Sequence, residues 1–188
     1  MGHFVEMLQK EIELTTNEHE EDRLFDTIYF GGGSPSLLSP KDINNILDKL
    51  QYHFNIAEHS EVTLEVNPGE VTKEDLFSYN GIGVNRLSIG FQSLDPALLT
   101  ILSRTHTPDD CFNTFENAQV AGFDNISIDL LYNIPRQSLS KWLNDLETLM
   151  QLDCGHIAIY PLTAEQGTPF FNQVQLGEIQ LSDSHIEE

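Results

Sequence analysis

The chain has 188 residues, of which 9 are Lys or Arg and 30 are Asp or Glu, so its formal net charge is −21. This length suits one domain with one core, and the negative charge argues against binding to nucleic acid or to anionic lipid. The hydrophobic residues make up 39% of the chain, which is enough for a packed interior. The acidic residues therefore indicate a solvated surface of a folded protein and not disorder.

Neither a membrane span nor a disulfide scaffold is expected. No apolar run approaches the roughly 20 residues that cross a bilayer, and residues 1–13 lack the basic and apolar regions of a signal peptide. The two cysteines, Cys111 and Cys154, are far apart in sequence, which argues against a disulfide framework and against a cysteine-only metal site. We expect a cytoplasmic protein without stable membrane insertion.

Strand-like and helix-like segments alternate along the chain. An amphipathic helix is predicted through Phe4 and Ile12, followed by an acidic, solvated connection from Glu18 to Asp22. Segments rich in β-branched and aromatic residues then predict five strands, over residues 26–30, 62–66, 86–91, 125–131 and 156–162. Repeated strand and helix implies a parallel α/β sheet, either open and doubly wound or part of a (β/α) barrel.

The intervening helices carry start and stop signals. Three of them begin with a hydroxyl residue that is followed three positions later by an aspartate, as in a capping box: Ser39 with Asp42, Thr72 with Asp75, and Thr107 with Asp110. Gly122 ends the helix over residues 111–121. Residues 1–170 are interpreted as the domain core, and residues 171–188 as a polar tail without a clear period.

The carboxyl ends of parallel strands are where ligands bind, and each strand end here carries polar or glycine residues. Gly31, Gly32 and Gly33 precede Ser34 after the first strand, and consecutive glycines let backbone N–H groups approach a ligand. Such a string is also compatible with a plain turn or with a phosphate site.

Further candidates follow the later strands. The period of two places Glu65 on the same face as Asn67, and a carboxylate inside a parallel barrel needs a partner. Gln92 lies at the exit of the third strand, and Asp129 lies within an apolar run of the fourth. Arg104 is the candidate partner for the two acids, because its planar guanidinium binds carboxylates, and the three together suit a zwitterionic ligand.

Several segments in this order resemble one known family. They are residues 29–38 (YFGGGSPSLL), 63–68 (TLEVNP), 85–93 (NRLSIGFQS), 104–107 (RTHT), 125–132 (NISIDLLY) and 167–169 (GTP). The set resembles the oxygen-independent coproporphyrinogen III oxidase family of radical S-adenosylmethionine proteins. The RTHT and GTP strings are more similar to its haem chaperone branch.

The resemblance implies a partial TIM-like barrel with parallel strands, of about six βα units, in which the first strand is missing. S-adenosylmethionine is expected across the strand ends. By motif match, the glycine string with Ser34 contacts the amino group of the methionine part. The residues matching Glu65, Gln92, Arg104 and Asp129 contact the methionine and ribose parts.

The chain departs from the family in two places. Family members hold a [4Fe–4S] cluster with a Cys-x-x-x-Cys-x-x-Cys loop, and neither Cys111 nor Cys154 lies in such spacing. We therefore expect a central fragment of a protein of haem or porphyrin metabolism, with the cluster built only in a longer parent and no radical chemistry by this chain alone. Asn133 stands where the family usually has glycine, and asparagine tolerates the left-handed turn better than most residues.

Alternatives and partners stay open. Two lesser alternatives are a stand-alone, non-catalytic module for haem or S-adenosylmethionine, and another α/β enzyme that binds phosphate at the glycine string. Haem or a porphyrinogen is the expected ligand of the parent. Candidate axial ligands are His106, His156 and the two cysteines, and none of them is singled out by spacing. The strand over residues 26–30 is expected at a sheet edge, where it favours self-association.

Overall fold

The computed structural model describes residues 2–15 and 23–180. Helices and strands alternate as expected, and a 3₁₀ turn, Pro35–Leu37, follows the glycine string. The helices are α1 Gly2–Thr15, α2 Pro40–His53, α3 Lys73–Gly81, α4 Pro96–Ile101, α5 Pro108–Val120, α6 Leu139–Leu149 and α7 Pro169–Gln175. The strands are β1 Leu24–Phe30, β2 Asn55–Val66, β3 Arg86–Gln92, β4 Asn125–Tyr132 and β5 His156–Pro161.

The five strands form one sheet in the order β1-β2-β3-β4-β5, and every neighbouring pair is parallel. Since each strand pairs with the next one in sequence, each connection crosses from one end of the sheet to the other, which requires a helix or long loop on its face. The sheet curls into a half-barrel. The expected partial TIM-like α/β barrel is confirmed.

The core lies between the outer face of this sheet and the helices. Alternate strand residues are fully or almost fully buried there, including Leu64, Leu87, Ile89, Ile128 and Leu130. Helix residues with a 3.6 period cover them, such as those of α2 and α5: Ile43, Ile46, Leu47, Cys111, Phe115 and Ala118. Burying one face of β2, β3 and β4 leaves their other face for polar side chains.

The predicted helix signals are confirmed at the caps. Ser39, Thr72 and Thr107 each accept a bond from the backbone of the aspartate three positions on, and each aspartate accepts one in return from the cap backbone. Gly122 has a φ of 95° and directly follows the C-cap residue of α5. Asn133 adopts the left-handed region with a φ of 60°, as its replacement of glycine requires.

Three expectations need correction or fall outside the described residues. β2 begins at Asn55, seven positions before the expected start, because its polar first half pairs with Leu24 and Phe25 of β1 and lacks a buried face. The stretch after residue 171 is not wholly aperiodic, since α7 runs through it and is capped by Thr168. The acidic connection over residues 18–22 lies outside the described part of the chain.

β1 lies at one edge of the sheet and β5 at the other. Within residues 2–15 and 23–180, no helix is both long and apolar enough to cross a membrane.

Candidate functional site

Polar side chains line the concave face of the half-barrel. In a parallel sheet, residues in register on neighbouring strands point to the same side, so the partners of Glu65 and its neighbours can be followed from strand to strand. Glu65 lies opposite Ser88, and Ser127 lies opposite both Ser88 and His156. The inner face is therefore polar, which is unlike the filled apolar interior of an ordinary closed barrel.

A pocket of about 200 Å³ opens where this face meets the carboxyl ends of the strands. It lies above the side chains of β2, β3 and β4, and β5 contributes one aromatic ring. Its lining residues are Gly33, Pro35, Glu65, Val66, Asn67, Ser88, Gly90, Gln92, Arg104, Asp129 and Tyr160. This volume is below the usual range for a site that encloses a whole small molecule, so the pocket suits one part of a ligand that extends over the open face.

Glu65, on β2, holds the glycine string against the sheet by hydrogen bonds. One carboxylate oxygen accepts a hydrogen bond from the Tyr29 hydroxyl at 2.9 Å, and the other accepts one from the backbone N–H of Gly32 at 3.1 Å. Burial, together with the bond to Glu65, raises the pKa of Tyr29 to about 12. A side chain at Gly31 has no room, since its Cβ would lie 2.5 Å from Tyr29 Cε1 and 2.8 Å from Glu65 Oε1.

The remaining glycines of the string serve its backbone path. Gly32 and Gly33 have φ values of 79° and 63°, in the left-handed region that glycine enters without a steric penalty. Ser34 lies beside the pocket and accepts a hydrogen bond from Asn67 Nδ2 at 3.1 Å. The string therefore reaches the pocket through backbone groups and is held there by Glu65 and Asn67.

Asp129 is held by hydroxyl groups. Ser88 Oγ lies 2.9 and 2.8 Å from its two carboxylate oxygens, and Ser127 Oγ lies 3.4 Å from one of them. Burial raises the pKa of Asp129, and the hydroxyl donors oppose that shift by stabilising the charged form. The expected partner of this half-buried acid exists, but it is a serine of the adjacent strand.

Arg104 does not pair with either carboxylate, which corrects the sequence expectation. Its Nη1 donates to Asn67 Oδ1 at 3.1 Å, and Asn67 in turn donates to Glu70 at 3.0 Å. This bond uses one of the five N–H groups of the guanidinium. Arg104 thus brings a positive charge to a pocket that also holds Glu65 and Asp129, without neutralising either acid directly.

Gln92 enters the pocket from an unusual backbone conformation. Its φ is 67°, and the ladder between β3 and β4 is irregular between Ile89 and Gln92. The side chain folds back over Gly90, where a Cβ would lie 2.7 Å from Gln92 Nε2. A glycine at position 90 is therefore what makes room for the amide.

The structure brings five of the eight predicted site residues into the lining of one pocket: Gly33, Glu65, Gln92, Arg104 and Asp129. Gly31, Gly32 and Ser34 lie next to it through their contacts with Glu65 and Asn67. Sequence reasoning did not select the lining residues Ser88, Gly90 and Tyr160. Ser88 could have been predicted, because it alternates with the buried apolar residues of β3 and so lies on the opposite face. The residues around Tyr160 carry no pattern that predicts its place in the pocket.

The candidate haem ligands differ in accessibility. His106 is buried and its Nε2 lies 3.3 Å from the carbonyl oxygen of Phe91, which suits a structural histidine better than a haem ligand. Cys111 is buried in the core, and burial raises its pKa to about 12. Cys154 donates to the carbonyl of His156, while the exposed His156 ring bonds Ser127 through Nδ1 at 2.8 Å.

The described side chains do not suit an iron–sulfur cluster. Over residues 2–15 and 23–180 no group of three or more His, Cys, Asp or Glu is arranged to hold a metal ion. The 188 residues contain two cysteines, whereas the family motif supplies three thiolates. The described residues therefore do not supply the ligand set that a [4Fe–4S] cluster needs.

Comparison with known proteins places this parallel half-barrel in a family. The model of the Radical SAM superfamily matches residues 1–149, and the chain belongs to that superfamily. The bovine (Bos taurus) protein "Radical S-adenosyl methionine domain-containing protein 1, mitochondrial" is 38% identical over 164 residues, which are 87% of this chain and 37% of that protein. The heme chaperone HemW of Bacillus subtilis is 36% identical over 162 residues, 86% of this chain and 43% of HemW.

A solved structure supports the fold. Coproporphyrinogen III oxidase HemN from Escherichia coli superposes with a TM-score of 0.84 at 22% sequence identity, covering 99% of this chain and 43% of HemN. The expected resemblance is confirmed in this form: the heme chaperone HemW is a sequence relative, and coproporphyrinogen III oxidase HemN shares the fold. The chain spans about two fifths of the length of these relatives.

Proposed function

We propose that the pocket at the carboxyl edge of the sheet binds S-adenosylmethionine, and that this chain supplies that binding function within haem or porphyrin metabolism. The observation that carries the proposal is the charge pattern of the pocket, where Glu65 and Asp129 face Arg104. S-adenosylmethionine carries two positive groups, a carboxylate and a ribose diol. Carboxylates recognise ammonium and hydroxyl donors, and a guanidinium recognises a carboxylate.

Each residue has a distinct role in this proposal. The backbone of the glycine string and the carboxylate of Glu65 bind the amino group of the methionine part. The guanidinium of Arg104 binds the carboxylate of the same part. Asp129 accepts hydrogen bonds from the ribose hydroxyls, and the amide of Gln92 both donates to them and accepts from them. Because the pocket is smaller than the ligand, the adenine end lies outside it on the open face of the sheet.

Phosphate is a weaker candidate for this pocket. The N–H of Gly32, which a phosphate would need, already donates to the carboxylate of Glu65. A second acid, Asp129, lines the same space, so an anion of charge −2 would be repelled. These contacts favour a ligand with positive groups.

Radical cleavage of S-adenosylmethionine is not proposed for these 188 residues by themselves. The family supplies that chemistry with a [4Fe–4S] cluster, and the two cysteines present are unsuited to it. A non-catalytic haem-binding role is the second candidate, favoured by the exposed His156, whose ring is oriented by Ser127 through Nδ1. A wild type that gives no Soret band of bound haem would remove that candidate, and a band that persists in His156→Ala would exclude His156 as the ligand.

The experiment that tests the proposed ligand is calorimetric titration of the chain with S-adenosylmethionine. We expect Glu65→Gln and Asp129→Asn each to weaken binding about tenfold, since each removes one charge-assisted contact of about 1.5 kcal/mol. Glu74→Gln, on the exposed first turn of α3, is the matched control and should bind like the wild type. Equal affinity in all four proteins would refute the assignment of this pocket.

Two further proposals concern partners and compartment. Self-association through β1 is expected, because β1 is an edge strand of the sheet within the described residues and its Leu24 and Tyr29 are exposed. A cytoplasmic location is also proposed, although the bovine relative is named as a mitochondrial protein. Cell fractionation with an antibody against the chain distinguishes the two compartments.

A further inference from the structure

The turn after β3 contains a strained residue. Gln92 has a φ of 67°, and the N–H of Ser93 donates to the carbonyl of Phe91 at 2.8 Å. A hydrogen bond between residues two apart, around a central residue with positive φ, is the γ-turn that proteins use rarely because it is strained. Glycine would adopt it freely, but the chain has glutamine here. Such strain persists only where the surroundings hold it in place.

The strained conformation accompanies a fold of the Gln92 amide back over Gly90, at the pocket. The side chain leaves the strand and lies over Gly90, near Asn67 Oδ1, which accepts from Arg104. Gln92 lies on the same face of β3 as Ser88 and Gly90, so the alternation of the strand already turns it towards the pocket, and the turn brings its amide back over Gly90. The conformation of the turn therefore determines where the amide of Gln92 lies in the pocket.

Asp145, a buried acid of α6, accepts hydrogen bonds from the two residues that follow Gln92. Asp145 is 2% exposed, and its Oδ2 accepts from Ser93 Oγ at 2.8 Å and from the N–H of Leu94 at 3.1 Å. The same helix reaches the turn a second time, through Lys141 Nζ and Asp95 Oδ2 at 2.7 Å. Asp95 is also the N-cap of α4, the short helix that precedes Arg104.

A carboxylate at this position is not explained by packing. Burying an acid is costly unless its hydrogen bonds repay the lost hydration, and an apolar residue would fill the same space between α6 and the sheet without that cost. The bonds that Asp145 makes are both to the γ-turn exit. What the acid adds is therefore a fixed position for residues 93 and 94.

We propose that Asp145 is a positioning residue for the pocket: by holding Ser93 and Leu94 it keeps Gln92 in the γ-turn and its amide in the ligand site. This inference rests on the proposed function only for the identity of the ligand. The structural part concerns Gln92 alone and is measurable in the ligand-free protein.

The test is a double-mutant cycle with Asp145→Ala and Gln92→Gly, read by titration with S-adenosylmethionine. If Asp145 acts through Gln92, Asp145→Ala weakens binding about tenfold in the wild-type background and less than twofold in the Gln92→Gly background, where the amide is already gone. A merely structural role lowers affinity by the same factor in both backgrounds, and that result overturns the proposal. Glu147→Ala, exposed on the same helix, is the control.

Two further variants keep the test decisive if Asp145→Ala does not fold. Because a single oxygen of Asp145 accepts both bonds, Asp145→Asn can keep both and should retain wild-type affinity within about threefold. Ser93→Ala removes one of the two bonds and should fall between Asp145→Asn and Asp145→Ala. Loss of affinity in Asp145→Asn as large as in Asp145→Ala contradicts the positioning role.

A nuclear magnetic resonance measurement separates this inference from the choice of ligand. The side-chain amide signals of Gln92, identified by their absence in Gln92→Gly, should shift in ligand-free Ser93→Ala and stay in place in Glu147→Ala. Unmoved signals in Ser93→Ala overturn the inference. If the wild type fails to bind S-adenosylmethionine while the signals shift, the proposed ligand is wrong and the role of Asp145 stands.

Discussion

Gly31→Ala is a sharp test of how the glycine string is built into the pocket. The new Cβ would lie 2.5 Å from Tyr29 Cε1 and 2.8 Å from Glu65 Oε1, and real Cβ atoms do not approach other atoms so closely. Both side chains must withdraw, which breaks the 2.9 Å hydrogen bond between them. Gly31 itself is not among the positive-φ glycines, so alanine is tolerated by the backbone and the effect is confined to these contacts.

The magnitude follows from opposing terms. Replacing glycine by alanine at a compatible φ stabilises a protein by about 0.4–1 kcal/mol through the unfolded state. A hydrogen bond to a charged group is worth about 1.5–3 kcal/mol when buried, and the low end applies because Tyr29 is 57% exposed. The net loss of unfolding free energy is about 0.5–1 kcal/mol. Displacing Glu65 costs S-adenosylmethionine about 1.4 kcal/mol of binding, which is tenfold in affinity.

The assays are urea unfolding and calorimetric titration, with Gly155→Ala as the matched control. Gly155 has no neighbouring atom within 4 Å of a built Cβ and no positive φ, so its variant should keep the wild-type affinity and be no less stable. Tyr29→Phe removes the hydroxyl without crowding and should show a smaller loss of binding than Gly31→Ala. Wild-type affinity in Gly31→Ala would refute the view that Glu65 must stay in place.

Three further outcomes are expected. Burial raises the pKa of Asp129, so this group stabilises the fold below its unfolded pKa of about 3.9 and the contribution is lost as pH rises through the higher folded value. Unfolding free energies across this range should fall less steeply in Asp129→Asn than in the wild type, and the exposed Asp124→Asn should keep the wild-type slope. Thr72→Ala removes a capping box and should lower the free energy of unfolding in urea by about 1 kcal/mol. The control Lys73→Ala, at an exposed position, should leave that free energy unchanged. Thr27→Lys on β1 should reduce the concentration-dependent association seen by light scattering, and a monomeric wild type at high concentration would contradict the edge-pairing hypothesis.

Much of the fold followed from local signals. β3 and β4 alternate apolar residues with small or polar ones, and the capping boxes at Ser39, Thr72 and Thr107 mark where three helices begin. These signals depend on residues within one or two turns of each other, so they can be read along the chain. β2 was the exception, because its first half is polar and its strand conformation depends on pairing with β1.

Several residues of the candidate site could be predicted from the sequence, but their hydrogen-bond partners could not. Glu65 and Asp129 were recognisable as acids at strand ends, where burial demands a partner. The partners themselves come from other elements: Ser88 from the adjacent strand for Asp129, and Asn67 instead of an acid for Arg104. Which polar atoms meet depends on strand register and on the path of the loop before Arg104, and neither is encoded within a local window.

The sequence by itself determined the alternation of strand and helix, the helix ends, and the family to which the strand ends belong, because each of these is written in nearby residues. Only the tertiary structure decided that Gln92 turns through a left-handed conformation and that Asp145, 52 positions from Ser93, reaches across to hold that turn. The reason is physical: a strained backbone is stable only when groups distant in sequence over-determine it, and those groups meet only after the sheet and helices have packed.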